Sequence, residues 1–99
     1  MITITAVIRA RKGYEQTMAQ ALLEVAEHVR ANEPNTIGFH ISQDAQDPCL
    51  FATYERFNDR AAMDLHNNSD VVARFFGIAK PILDGEVILI TANEISAKA

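Results

Sequence analysis

An imidazole titrates near neutral pH, so His66 is the side chain in this chain best suited to take a proton from a phenol or an enol. It stands four positions after Ala62, in a stretch that Asn58 and Asp59 can cap as a short helix, and so shares the helix face that presents apolar side chains to the fold. There it serves either as the base of a pocket or as a histidine satisfied in the core or at a helix end. Glu55 lies among Phe51, Tyr54 and Phe57 in a strand-like run, where a carboxylate needs a partner or an edge. Arg56 has the opposite strand parity, which leaves His66 as one partner and an ion pair with Arg9 or Arg74 as another. A Glu55–His66 pair would fix the imidazole tautomer and raise its basicity. His40 reads as a pocket polar group or part of a seam between copies. His28 reads as solvated, and Phe75 and Phe76 as core or pocket wall. The lone Cys49 forms no internal disulfide and reads as strand filler. No Cys/His cluster has zinc spacing, and there is no phosphate loop, nucleophile elbow or H-E-x-x-H pair.

These residues need elements to hold them. Ile2 to Arg9 alternates as a strand. Gly13 breaks that pattern, and Met18, Leu22, Val25, Ala26 and Val29 then recur at helical spacing up to Asn32, where Pro34 disfavours continuation. Thr36 to Gln43 and Cys49 to Phe57 flank the turn-rich Asp44 to Pro48 and read as a hairpin. Two short helices follow, interrupted near Asn67 and Asn68, the second capped by Ser69 or Asp70 and running through Ala79 to the stop at Pro81. The last strand spans Glu86 to Ala92, and residues 96–99 read as a frayed tail. The order β-α-β-β-α-α-β is a split βαβ arrangement, an α+β, ferredoxin-like domain with a four-stranded antiparallel sheet, and residues 1–99 form one domain.

With 99 residues and a net charge of −4, the scattered Lys and Arg offer no nucleic-acid surface. No apolar run approaches the length of a membrane span and no signal peptide is visible, so the expected location is cytoplasmic. The centre of strand four, Val87-Ile88-Leu89-Ile90, has no polar face. Strands two and three are apolar on both parities, with Ile37, Phe39, Ile41, Phe51 and Phe57 set against Leu50, Ala52 and Tyr54. Either strand four is central in a monomer, or two sheets pack face to face in a homodimer, which the size of the apolar face favours.

The stretch Phe51-Ala52-Thr53-Tyr54-Glu55-Arg56-Phe57-Asn58-Asp59-Arg60-Ala61-Ala62-Met63-Asp64-Leu65-His66 resembles the signature of the antibiotic biosynthesis monooxygenase domain family, roughly F-x-x-Y-E-x-W-x-D-x-x-A-x-x-x-H, with Phe75 matching a downstream aromatic. Upstream, Arg30 to Phe39 resembles that family's E-P-G link into strand two, and Lys12 to Glu15 its strand-to-helix turn. The resemblance implies a dimeric α/β barrel. It carries over Glu55 and His66 as the catalytic pair and Phe57 as an aromatic wall. Thr53 stands where polyketide-tailoring members carry a pocket Asn, and Phe57 replaces the family tryptophan. The first strand lacks the Asn of haem-degrading members, and His66 stands near their Trp, which points away from haem.

The expectation that follows is a cofactor-independent monooxygenase, with no metal, oxidising a small hydroxylated aromatic or quinol with O2. Phe39, Phe51, Thr53, Phe57 and Phe75 would bind substrate in a pocket between the sheet and the 58–79 helical region, away from the dimer seam. An isomerase-like enzyme acting on a small carbonyl metabolite and a non-catalytic ligand-binding dimer are the alternatives. If His66 is functional, His66→Ala should remove turnover at a stability cost of no more than about 2 kcal/mol.

Overall fold

The computed structural model describes residues 1–98. Its elements run β1 (Ile2–Arg9), α1 (Glu15–Asn32), β2 (Thr36–Gln43), β3 (Leu50–Phe57), α2 (Arg60–Asn67), α3 (Asp70–Ala79) and β4 (Ile88–Asn93), with a 3-10 turn at Lys80–Ile82. The strands form one antiparallel sheet in the order β2-β3-β1-β4. This is the α+β, ferredoxin-like architecture expected from the sequence.

Period-two alternation sends Ile4, Ala6 and Ile8 of β1 and Phe51, Thr53, Glu55 and Phe57 of β3 to the helical side of the sheet, where all are buried. Ahead of α1 the chain reverses at Gly13, whose φ of 95° suits glycine, and the Glu15 carboxylate accepts the Gly13 N–H at 3.1 Å. Met18, Ala21, Leu22, Val25 and Val29 form the buried stripe of α1. Pro34 then holds Glu33 out of the helix, at φ −121° and ψ 79°. The Asp59 carboxylate caps α2 by accepting the Ala62 N–H at 2.9 Å, and Ser69 caps α3 through the Val72 N–H at 3.4 Å. Between these helices the Asn68 and Ser69 N–H groups return to the carbonyls of Asp64 and His66, which makes the break between the helices. Phe51 and Phe57 are fully enclosed, each contributing about 1.5–3 kcal/mol through burial.

One expected boundary changes, and one of the two alternatives for strand four is removed. Strand four begins at Ile88, not Glu86, because the Arg9 end of β1 is already occupied: the Arg9 carbonyl accepts the Asp84 N–H at 2.8 Å, and Ala10 bridges Leu83. The chain then leaves the sheet around Gly85 and rejoins where Ile88 meets Val7. Nor is β4 a central strand; it lies at an edge, with Ile88 and Ile90 more than half exposed. Residues 96–98 are exposed and lie outside every element, and Ala99 of the expected tail lies outside the described residues.

On the face away from the helices, Val7, Leu50, Ala52, Tyr54, Ile88 and Ile90 share one surface with Thr5 and His40. At one end of it Arg56 grips Glu94 with contacts of 2.8 and 2.9 Å, and the Tyr54 hydroxyl donates to the same carboxylate at 2.8 Å. These donors hold the Glu94 carboxyl down to about 2. His40 stacks near Tyr54 on this surface, which assigns it to the outer face and not to the pocket.

Candidate active site

The helix face of α2 carries Ala62, Met63 and His66 inward at spacings of one and three, and the His66 side chain is 4% exposed. Its ring is tilted against those of Phe39 and Phe57, with centroids 5.6 and 5.4 Å away. Nε2 lies 3.3 Å from Oε1 of Glu55, and Nδ1 lies 2.9 Å from Oε1 of Glu33. The imidazole therefore sits between two carboxylates, with one on each ring nitrogen.

Burial acts to lower the His66 pKa, but the polar contact with Glu55 and the charges of Glu33 and Glu55 outweigh it, and the value stands above that of an ordinary histidine. Each ring nitrogen faces one carboxylate, so a proton on either nitrogen has an acceptor. On β3, Thr53 Oγ1 donates to Glu55 Oε2 at 2.8 Å, so strand alternation and hydroxyl together orient Glu55. The other partners considered for Glu55 are engaged elsewhere: Arg9 pairs with Asp47 and Arg74 with Glu24, each at 2.5 Å.

A cavity of about 210 Å³ opens beside this pair, between the sheet, α1 and α3. Ile4, Ala6, Leu22, Val25, Val72, Phe75 and Val87 form its apolar wall, and Glu55 and His66 are the ionisable groups lining it. Asn67, Phe76 and Leu89 line it too and are exposed, so the opening lies at the β4 edge near α3. An apolar cavity of about 150 Å³ accepts benzene, which makes this one a match for a compact one- or two-ring molecule.

Among the residues expected to bind substrate, Phe39, Thr53 and Phe75 line the cavity. Phe57 stands behind the His66 ring and Phe51 is enclosed in the main core, so neither faces the cavity. Glu33 went unassigned in the sequence, although a signal was present. A carboxylate at the C-terminus of a helix faces the negative end of the dipole, and so needs a cation nearby. His28, expected to be merely solvated, lies with Nε2 3.6 Å from Glu33 Oε2, and the Thr36 hydroxyl donates to Glu33 Oε1 at 2.8 Å. Among the described residues no group of three or more His, Cys, Asp or Glu is arranged to hold a metal ion, and no helix is long and apolar enough to cross a membrane.

A two-layer α+β domain with an apolar cavity and a buried acid–histidine pair is the class of protein that this fold and site define. Residues 1–77 match the antibiotic biosynthesis monooxygenase family, and the chain belongs to that family. Its structure is similar to that of an antibiotic biosynthesis monooxygenase at 20% identity, with a TM-score of 0.88 over 97% of this chain and 100% of the other. A Pseudomonas aeruginosa protein at 24% identity superposes with a TM-score of 0.86 over 96% of this chain and 94% of its own. A Mycobacterium tuberculosis protein at 15% identity does so with a TM-score of 0.89, over 99% and 98%. At these identities the likeness is one of fold. A comparison with curated protein sequences gave no match.

Proposed function

We propose that this protein oxidises a small hydroxylated aromatic, such as a quinol or a phenol with a free para position, using O2 and no cofactor, in the cavity beside Glu55 and His66. The observation that carries the reading is that the cavity wall is apolar apart from a few polar side chains and lined by a single ionisable pair. The carboxylate of Glu55 accepts the hydroxyl proton as the arene gives one electron to O2. Loss of that electron makes the hydroxyl strongly acidic, so a carboxylate suffices as base. The aryloxyl radical and superoxide recombine at a ring carbon, forming a C–O bond, and the peroxide takes a proton back from the Glu55–His66 pair. Loss of the C–H proton then breaks the O–O bond, leaving a C=O group and hydroxide, which becomes water on protonation. The arene supplies all four electrons, phenol plus O2 giving quinone plus water. Apolar walls keep bulk water from the radical pair.

Oxygen-electrode measurements over a panel of small quinols and phenols, with chelator present, test this reading. The expected result is enzyme-dependent O2 uptake matched one to one by quinone formation. Proton exchange on a small carbonyl compound with no O2 consumed would favour an isomerase instead.

The same reading includes a homodimer formed by the outer faces of two sheets. Ile88, Ile90 and Tyr54 are exposed there beside Val7, Leu50 and Ala52, an apolar surface that a second copy would cover about a two-fold axis. Sedimentation at micromolar concentration should give a single species of twice the 11.0 kDa chain mass, and a stable species at chain mass contradicts it.

A further inference from the structure

Glu33 belongs to a different surface from the cavity. It lines two grooves on the outside of the molecule, one with His28, Asn32, Asp64 and Asn68 and the other with Arg30, Ile37 and Phe39. Its side chain is 13% exposed, whereas those of His66 and Glu55 are 4% and 9% exposed. Reading outward, Glu55 meets the cavity, His66 Nε2 lies 3.3 Å behind it, His66 Nδ1 lies 2.9 Å from Glu33, and Glu33 meets water. His28 stands at the outer end, 3.6 Å from Glu33.

We infer that Glu55, His66 and Glu33 form a proton relay between the cavity and the external groove, with Glu33 as its outer station. It rests on the oxidation reading above. The relay starts with the ring proton on Nδ1, facing Glu33, and with Nε2 open towards Glu55. When Glu55 takes the substrate proton it hands it to His66 Nε2, and His66 passes its Nδ1 proton to Glu33, so the triad gains one proton and the added proton lies on the solvent side. Reversal of the same two transfers returns it to the peroxide. No electron moves in the relay and no atom is gained or lost. The cavity can thus exchange protons with the external groove through side chains, by a route separate from its opening near β4 and α3.

The charged groups facing His66 are Glu33 from the α1–β2 link and Glu55 from β3. The β2 side presents only the Phe39 ring, and α1 reaches the triad through His28, behind Glu33. Against the effect of its burial, the polar contact with Glu55 and the charges of Glu33 and Glu55 raise the His66 pKa above the ordinary histidine value. A scaffold role alone would ask of Glu33 only the Thr36 hydrogen bond and the end of α1. It would not ask for a carboxylate on the ring nitrogen opposite the cavity.

The test compares Glu33→Gln and Glu33→Asp with the parent, with 15N NMR of the His66 ring in ligand-free protein as the first readout. In Glu33→Gln the His66 titration should move down and ring N–H exchange with solvent should slow, while Glu33→Asp restores both in part. In turnover, Glu33→Gln should lower kcat at least about tenfold with KM unchanged, because Glu33 does not touch the cavity. Added formate should recover part of that loss. An unmoved His66 titration and unaltered ring exchange, with only a lower melting temperature, would overturn the relay. If the parent protein consumes no O2 with any substrate, the oxidation reading fails by itself, and the ligand-free ring measurement still decides the relay.

Discussion

Replacing His66 by alanine should cost about 3–5 kcal/mol of stability, as well as turnover, because the imidazole is the shared partner of two carboxylates and its removal leaves Glu55 buried with the Thr53 hydroxyl as its remaining side-chain partner. From the sequence alone the expected cost is no more than about 2 kcal/mol, and the second carboxylate, Glu33, is what raises it. The pH dependence has a definite sign. His66 has a raised pKa in the folded state, so its contribution is fully present below the unfolded histidine value and is lost as pH rises through the folded value. The gap in stability between parent and His66→Ala should therefore be widest below the unfolded histidine value and should narrow as pH rises through the raised folded value. Urea unfolding of both proteins across pH measures this directly. An alanine variant as stable as the parent at neutral pH would mean that the two carboxylates do not depend on His66.

Glu55→Gln separates chemistry from scaffold. The amide is nearly isosteric and retains an oxygen for the Thr53 hydroxyl, and His66 keeps Glu33 as its partner at Nδ1, so the cost in stability should stay near 1 kcal/mol, to within about a factor of two. Turnover should fall by about two to four orders of magnitude, the usual worth of a positioned proton acceptor. Because the amide has the shape of the acid, KM should change little, and the loss should appear in kcat. Steady-state O2 uptake together with a thermal melt checks both halves. A variant that melts normally and turns over at the parent rate would remove Glu55 from the mechanism.

How much of this was legible in the sequence depended on the range of the interaction involved. The period-two runs in β1, β2 and β3, the apolar stripe of α1 and the caps at Asp59 and Ser69 are local patterns, and each element formed where its pattern stands. The start of β4 was not local, because what displaced it was the Asp84 N–H on the Arg9 carbonyl, a contact across most of the chain. In the site, parity on β3 placed Thr53 and Glu55 on the helical side, and helical spacing turned His66 towards them. Parity could not distinguish Phe51 from Thr53, since both point the same way; α1 and α3 close over Phe51 and leave the cavity further along the strand. Glu33 was hidden for a related reason. Its neighbours in sequence suggest a turn, and the approach of α2 to the end of α1 brings it the His66 imidazole beside that of His28.

Isotope labelling of the oxygen tests the central claim most directly. Turnover of a phenol under 18O2 in ordinary water, with quinone trapped before it exchanges with solvent, should give product carrying one 18O atom and leave the second as labelled water. Unlabelled quinone formed with O2 consumed, or full turnover in the absence of O2, would contradict the account.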